Sequence, residues 1–179
     1  MMKTYSFTEA TPLINFIAEN KKHIIGSTLK YFGAEHWLFH NREMISEWPV
    51  VLSINNYCIA VNYLVPSDME LITGTEEELT QIKELKWVVE SRNEIIDYFG
   101  EEFGDGIKKE LIEGCTIKDI QIERFSEAFE CNGPTGEMRP EGGDYFSTIR
   151  MHLNSGIVLC LCGAPALWDG YIEYWCEGK

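Results

Sequence analysis

Apolar and polar residues alternate along two separate stretches of the chain, and a pair of turn-forming residues interrupts each stretch. Residues 50–64 read VVLSINNYCIAVNYL, and residues 146–162 read FSTIRMHLNSGIVLCLC. Alternation with a period of two is typical of half-buried β-strands. Asn55-Asn56 and Ser155-Gly156 tolerate the positive φ angles that tight hairpin turns require. The pattern therefore predicts an antiparallel hairpin over each stretch.

A shorter resemblance precedes both hairpins. Residues 26–32 read GSTLKYF and residues 114–120 read GCTIKDI, so Gly, Thr, an aliphatic residue and Lys recur in the same order. An apolar segment that follows an aspartate closes each half, at 68–74 and at 169–178. Such self-similarity is typical of a repeated structural unit. The predicted copies, each of three or four strands, cover residues 26–74 and 114–178.

Helical periodicity occurs before the first copy. Residues 11–20 carry apolar side chains at helical spacing, with Thr11 as the predicted N-cap and Pro12 at the first helical position. The sequence therefore predicts an N-terminal helix.

A helical connector is predicted between the two copies, over residues 75–113. Thr75 and Glu78 have the spacing of a capping box, and apolar residues follow at helical spacing. Residues 86–89 fit a helix or a strand equally. The order of helix, strands, helices and strands predicts an α+β fold with mostly antiparallel pairing. Because no Pro/Gly/Ser-rich linker separates the halves, we expect residues 1–179 to form a single domain.

The register of the second hairpin decides where its two cysteines lie. If Ser155-Gly156 is a two-residue turn, Met151 faces Cys160 and Ile149 faces Cys162. Both cysteines then belong to an apolar face, where a thiol behaves as a small apolar side chain. We therefore predict that they are buried, unligated and unbridged.

The first hairpin places small side chains at the equivalent positions. Cys58 and Ala60 correspond there to Val158 and Cys160, and Cys58 is also predicted to be buried. Small side chains on a strand allow another element to approach closely. The pattern therefore favours packing, for example by a helix, over chemistry.

Metal and nucleophile chemistry find little support in the sequence. Structural zinc sites combine C-x2-4-C and H-x3-5-H pairs, whereas this chain offers Cys160-x-Cys162 and His36-x3-His40. A cysteine nucleophile needs an adjacent base, and the predicted register places His152 on the opposite face from Cys160. The sequence contains no phosphate-binding loop, dinucleotide fingerprint or nucleophile elbow. We therefore predict no metal and no cofactor, and favour a binding protein over an enzyme.

The composition excludes several classes of protein. Hydrophobic residues make up 45% and charged residues 25% of the 179 residues, as is usual for globular proteins. No apolar run approaches the roughly 20 residues that a membrane helix needs. The N-terminal residues have no basic stretch followed by an apolar one, as a secretory signal would have. We expect a cytoplasmic protein that does not contact membranes.

Net charge is the strongest indication of a partner. The chain has 15 basic and 29 acidic residues, a net charge of −14. Residues 75–114 carry twelve acidic and five basic side chains, which gives −7 for that segment alone. Such a surface repels nucleic acid and anionic membranes and fits a basic protein.

The sequence therefore predicts a protein-binding module that neutralises or regulates a basic protein partner. In composition, though in no motif, it is similar to bacterial immunity proteins that inhibit toxin domains. Acidic and aromatic side chains in three segments are the expected contacts. The candidate partner-binding residues are Glu101, Glu102, Asp105, Glu137, Glu141, Asp144, Trp168, Tyr171 and Trp175. The alternative is a small enzyme or ligand-binding module with its site between the two β-units.

Overall fold

The computed structural model describes residues 1–33, 37–39, 43–46, 50–55, 57–65, 68–83, 85–86, 112–130, 138–163 and 172–178. Over these ranges antiparallel strands dominate, and the helices are few and short. The predicted α+β class with antiparallel pairing is confirmed. None of the helices in these ranges is long and apolar enough to cross a membrane.

Helix α1 (Ala10–Glu19) confirms the predicted N-terminal helix, and the short helix α2 (Lys21–Ile24) follows it. The predicted cap is wrong, because Glu9 rather than Thr11 is the N-cap residue. Thr11 lies inside the first turn and donates its backbone N–H to the Asp144 carboxylate at 2.7 Å. A residue from the other half of the chain therefore satisfies an amide that the helix itself leaves unpaired.

Helix α3 (Glu76–Leu79) begins with the predicted capping box, which is confirmed. The Thr75 hydroxyl accepts from the Glu78 backbone N–H at 3.3 Å, and the Glu78 carboxylate accepts from the Thr75 N–H at 3.0 Å. Most of the predicted connector, including residues 87–111, lies outside the described residues.

The strands form two large sheets and one short ribbon. In chain order they are β1 (Lys3–Phe7), β2 (Leu29–Gly33), β3 (Trp37–Phe39), β4 (Glu43–Ser46), β5 (Val50–Ile54), β6 (Tyr57–Val65), β7 (Asp68–Gly74), β8 (Ile117–Phe125), β9 (Phe129–Glu130), β10 (Met138–Arg139), β11 (Tyr145–Leu153), β12 (Val158–Gly163) and β13 (Ile172–Glu177). The first sheet has the order β1-β7-β6-β5-β2, and the second has the order β3-β4-β13-β12-β11-β8. Strands β9 and β10 pair with each other and form the short ribbon.

The main hydrophobic core joins the inner faces of both sheets to α1. Leu13 of α1, Leu52 of β5, Leu159 of β12 and Tyr174 of β13 all belong to it, and each is at most 3% exposed. Burying side chains of this size excludes water from the space between the sheets. Strand alternation places Ile172 and Tyr174 of β13 on the core face, where both are fully buried.

A smaller core covers the outer face of the first sheet. Cys58 and Ala60 of β6 pack there with Leu79 of α3 and with Leu85. Cys58 is 1% exposed and Ala60 is fully buried, so small side chains lie where the capped helix approaches the sheet. The predicted close approach of another element to Cys58 and Ala60 is therefore confirmed, and helix α3 is part of that element.

The two halves share a strand order. Strands β7-β6-β5-β2 of the first sheet correspond to β13-β12-β11-β8 of the second. The glycine-led segments that resemble each other in sequence pair directly: Gly26 donates to the Ile117 carbonyl and Gly114 to the Leu29 carbonyl, both at 2.8 Å. Two copies of one structural unit would pair in this reciprocal way. That the two halves are copies of one unit stays a prediction.

Both predicted hairpins are confirmed. In the first, Ile54 pairs with Tyr57, and Asn55 between them has a positive φ of 54°. Asn56 of the predicted turn lies outside the described residues. In the second, β11 and β12 are joined around Ser155-Gly156, and Gly156 has a φ of 88°.

The register of the second hairpin differs from the prediction by one residue. Leu153 donates to the Ile157 carbonyl at 2.9 Å, so the turn contains three residues instead of two. Asn154 leaves the ladder because its N–H donates to the Thr116 carbonyl at 2.9 Å and its side-chain oxygen accepts from the Thr116 N–H at 2.8 Å. Three-residue hairpin loops with a glycine in the left-handed region are a common alternative.

The shift moves the cysteines to the other face of the sheet. Cys160 pairs with Arg150 and Cys162 with Thr148, so the predicted pairs with Met151 and Ile149 are wrong. Leu159 and Leu161 take the inward positions instead. Cys160 is nevertheless fully buried, as predicted, whereas Cys162 is half-buried.

Candidate protein-interaction site

Polar side chains of the second sheet lie on its outer face, which points away from the main core. Residues paired directly across strands point to the same side. Arg150 of β11 pairs with Cys160 of β12, which pairs with Trp175 of β13. Glu177 lies two residues beyond Trp175 and therefore shares its side. We call this surface the outer face.

Arg150 holds the outer face together by two ion pairs. Its Nε lies 2.6 Å from Glu123 Oε1, and its Nη1 lies 2.5 Å from Glu177 Oε2. Nη1 also lies 3.5 Å from the Cys160 sulfur. The Arg150 side chain is 24% exposed, against 42% for Glu123 and 44% for Glu177. The cation is therefore largely covered, while both carboxylates still reach solvent.

These contacts shift the pKa of each member of the cluster. Hydrogen bonds that Arg150 donates to the Glu177 and Glu123 carboxylates raise its pKa. Burial acts to raise the pKa of Glu123, but hydrogen bonds from Arg150 and Thr148 outweigh it and lower that pKa. Hydrogen bonds from Arg150 and Trp175 lower the pKa of Glu177. Glu123 and Glu177 therefore stay ionised, and Arg150 stays protonated, at pH values well below neutral.

Trp175 is the candidate partner-binding aromatic that the structure describes. Its side chain is half-buried, and its indole Nε1 donates to Glu177 Oε1 at 3.0 Å. Glu177 thus accepts from Trp175 with one oxygen and from Arg150 with the other. These bonds fix the indole edge in one orientation, beside an anion.

Cys160 is a poor candidate for a nucleophile. Burial raises the pKa of its thiol to about 12, and the Glu177 carboxylate adds to that effect. The thiolate that would attack a substrate is therefore scarce at neutral pH. The prediction that His152 and Cys160 lie on opposite faces is wrong. His152 pairs with Val158, two residues before Cys160, and therefore lies on the same face of the sheet as Cys160. His152 Nε2 is buried without a hydrogen-bond partner among the described residues.

Metal binding has no geometric support over the same ranges. Among the described residues, no group of three or more His, Cys, Asp or Glu side chains could hold an ion. Cys58, Cys115, Cys160, Cys162 and Cys176 are reduced thiols.

The glycine-rich segment at residues 130–144 contributes Asp144, which bonds within the fold. Its carboxylate accepts from the Thr11 N–H and forms an ion pair with Arg124. Hydrogen bonds from Thr11 and the Arg124 charge lower the pKa of Asp144. Glu141 of the same segment is exposed to solvent. The structure therefore places these two candidate residues away from Trp175, at the α1 end of β8 and β11.

The other candidate residues lie outside the described part of the chain. They are Glu101, Glu102, Asp105, Glu137, Trp168 and Tyr171.

Sequence reasoning missed Arg150 and Glu123, which organise the outer face. A signal was present, because Arg150 is the charged residue within the mainly apolar β11, and Glu123 is one of the acidic residues of β8. Opposite charges at facing or diagonal positions of neighbouring strands indicate a cross-strand pair, and Glu123 lies two residues from Gln121, which faces Arg150. Finding it required the pairing of β8 with β11, which the sequence pattern alone does not specify.

Comparisons with known proteins do not assign a family. No family model matches the sequence, and no curated protein is similar to it. Among solved structures, the chain is similar to the di-domain ARO/CYC StfQ from the steffimycin biosynthetic pathway. The identity is 9% and the TM-score 0.19, over 100% of this chain and 85% of that one. A TM-score this low carries no argument about fold or function.

Proposed function

We propose that the protein is an acidic binding module that neutralises or regulates a basic protein partner through the outer face of the second sheet. The position of Trp175 carries the proposal, because its indole is fixed beside the Glu177 carboxylate and is still partly exposed. A preordered tryptophan loses little conformational entropy on binding, and tryptophan is frequent among residues that dominate interfaces. An adjacent anion selects a basic partner.

Binding proceeds in two stages in this proposal. The net charge of −14 first steers the partner, with Glu101, Glu102 and Asp105 in the most acidic segment. Trp175 then docks against the partner. A lysine or arginine of the partner can stack on the indole and contact Glu177. Arg150 offsets one of the two carboxylate charges on the outer face, which therefore remains net negative.

The proposed partner class follows from charge. Toxin domains that act on nucleic acid are a class of basic protein, and we extend the proposal to immunity-type inhibition in the cytoplasm. The rationale is similarity of composition, and it is separate from the argument on Trp175. Nucleic acid and anionic membranes are disfavoured as partners because the chain would repel them.

The alternative is a small enzyme or ligand-binding module. The raised pKa of the Cys160 thiol, about 12, disfavours cysteine chemistry on the outer face. The ligand-binding form has support at a different place, in a cleft beside α1.

Capture of the partner tests the proposal. The tagged full chain is recovered from its source cells, and the proteins bound to it are identified by mass spectrometry. We expect a basic protein whose recovery falls with Trp175→Ala. Recovery should also fall after joint reversal of Glu101, Glu102 and Asp105 to lysine. Recovery of an acidic protein or of nucleic acid would contradict the proposal.

Matched variants separate the site from general effects of charge and aromatic content. Reversal of Glu19, Glu127 and Glu130, which are all exposed, changes the net charge equally at other places. Tyr57→Ala removes an aromatic side chain that is 37% exposed on the first sheet. Both controls should retain the partner. Loss of the partner with either control would attribute binding to another surface or to charge alone.

A further inference from the structure

A cleft of about 520 Å³ opens beside α1 and α2, away from the outer face. Its described lining comes from β1, from the end of α1 with α2, and from the β5–β6 hairpin. The volume lies within the roughly 300–1,000 Å³ of typical small-molecule sites.

Positive charge surrounds this cleft in a strongly acidic protein. Lys3 and Lys22 supply this charge, and His23 beside them offers a ring N–H donor; all three residues line the cleft and are exposed. None of the three forms an ion pair with another described residue, and the described lining contains no carboxylate. Cations that no internal partner neutralises favour an anionic ligand. The lining of the cleft is therefore opposite in sign to the protein's net charge of −14.

The floor of the cleft is apolar. Phe16, Ile24 and Ile59 line it, and the same three residues line a small apolar cavity of about 50 Å³ within the main core. Tyr5 also lines the cleft, with its ring centroid 4.6 Å from that of Phe16. An apolar body in the cleft would therefore contact aromatic and aliphatic surface at the edge of the core.

We propose that this cleft binds a small organic carboxylate with an apolar body. The carboxylate contacts Lys3, Lys22 and His23, because charge-assisted hydrogen bonds to an anion are stronger than neutral ones. The apolar body lies against Phe16 and Ile59. This site is separate from the outer face and does not depend on the proposed protein partner.

Calorimetric titration with three probes tests the proposal on the full chain. Octanoate carries both features, acetate carries only the anion, and octyltrimethylammonium carries the same apolar length with a cation. We expect octanoate to bind one site and the other two to give no saturable heat. Equal binding of the cationic probe, or no binding of octanoate at millimolar concentration, would overturn the proposal.

Charge variants place the site. The double variant Lys3→Gln, Lys22→Gln should weaken octanoate binding by at least about tenfold, because each charge-assisted hydrogen bond is about twice as strong as a neutral one. The matched double variant Lys21→Gln, Lys118→Gln removes two exposed lysines outside the cleft lining and should bind as the wild type does. Unfolding curves confirm that both variants fold. Equal weakening in both variants, or none in the first, would overturn the assignment.

Discussion

Thr28 and Thr116 lie opposite each other in an antiparallel bridge that joins the two halves of the chain. Each is preceded by a glycine with positive φ, 83° at Gly26 and 79° at Gly114. Each glycine donates its N–H to the opposite segment. Because these bonds are reciprocal, a change at either glycine disturbs the same junction.

Alanine at either glycine should destabilise the protein to a similar extent. A β-carbon at Gly26 or Gly114 would meet no atom within 4 Å, so the effect comes from the backbone alone. We expect Gly26→Ala and Gly114→Ala each to lower the free energy of unfolding by roughly 1–2 kcal/mol, the cost of a left-handed conformation. Urea unfolding monitored by circular dichroism measures this.

Asparagine provides the control for both positions. It tolerates the left-handed region better than alanine, so the asparagine variants should lose less stability. If alanine and asparagine were equally destabilising, backbone conformation would not be the cause.

Replacing Arg150 should reveal the acid sensitivity of the outer face. Arg150→Met leaves Glu123 and Glu177 without their shared cation, and we expect a loss of about 1 kcal/mol at pH 7, at the upper end for partly exposed pairs. The pKa of both carboxyls is lowered in the folded protein from 4.5. Their contribution is therefore complete above that value and declines as the pH falls through the lower folded pKa.

Unfolding of the Arg150 variants is best compared at pH 7 and pH 3. The difference between wild type and Arg150→Met should shrink at pH 3, because protonation removes the same interactions in the wild type. Arg150→Lys keeps the charge and should lose less stability at pH 7. An undiminished difference at pH 3 would show that packing, rather than charge, accounts for the loss.

Few of the six thiols should react in the native protein, and Cys160 should be among the slowest. Burial raises the pKa of Cys160 to about 12 and that of Cys176 to about 11. Alkylation with iodoacetamide at pH 8, followed by peptide mass spectrometry, gives a rate for each cysteine. All six should react after denaturation. Native alkylation of Cys160 at its denatured rate would contradict the structure.

Salt should act mainly on the association rate of the proposed partner. Exposed charges affect encounter more than dissociation, and ionic screening acts over about 10 Å at 0.1 M salt. We expect association to slow as salt rises from 20 to 500 mM, as a steered encounter requires. Surface plasmon resonance with the captured partner measures both rates. An association rate independent of salt would remove steering from the proposal.

The elements that were predicted correctly depend on neighbouring residues. The capping box at Thr75 and Glu78 and the turn at Asn55 are decided within four residues of chain. The register of the second hairpin is decided by Thr116, which binds Asn154 across 38 positions. The apolar periodicity within residues 146–162 contains no information about Thr116. The faces of Cys160 and Cys162 were therefore wrong, although the strands themselves were right.

The same distinction holds for the candidate site. Strand alternation within β13 is enough to place Trp175 on the face of the sheet that Ile172 and Tyr174 do not share. The contacts of Asp144 could not be anticipated, because its partners Thr11 and Arg124 lie on elements far apart in sequence.

The bond between Asp144 and Thr11 also has a consequence for biosynthesis. The two residues are 133 positions apart. Helix α1 leaves the ribosome before Asp144, and the carboxylate that binds its first turn is synthesised 133 residues later. A helix of ten residues is marginal on its own in water. Helix α1 therefore gains the stabilising bond at Thr11 only after Asp144 has been synthesised.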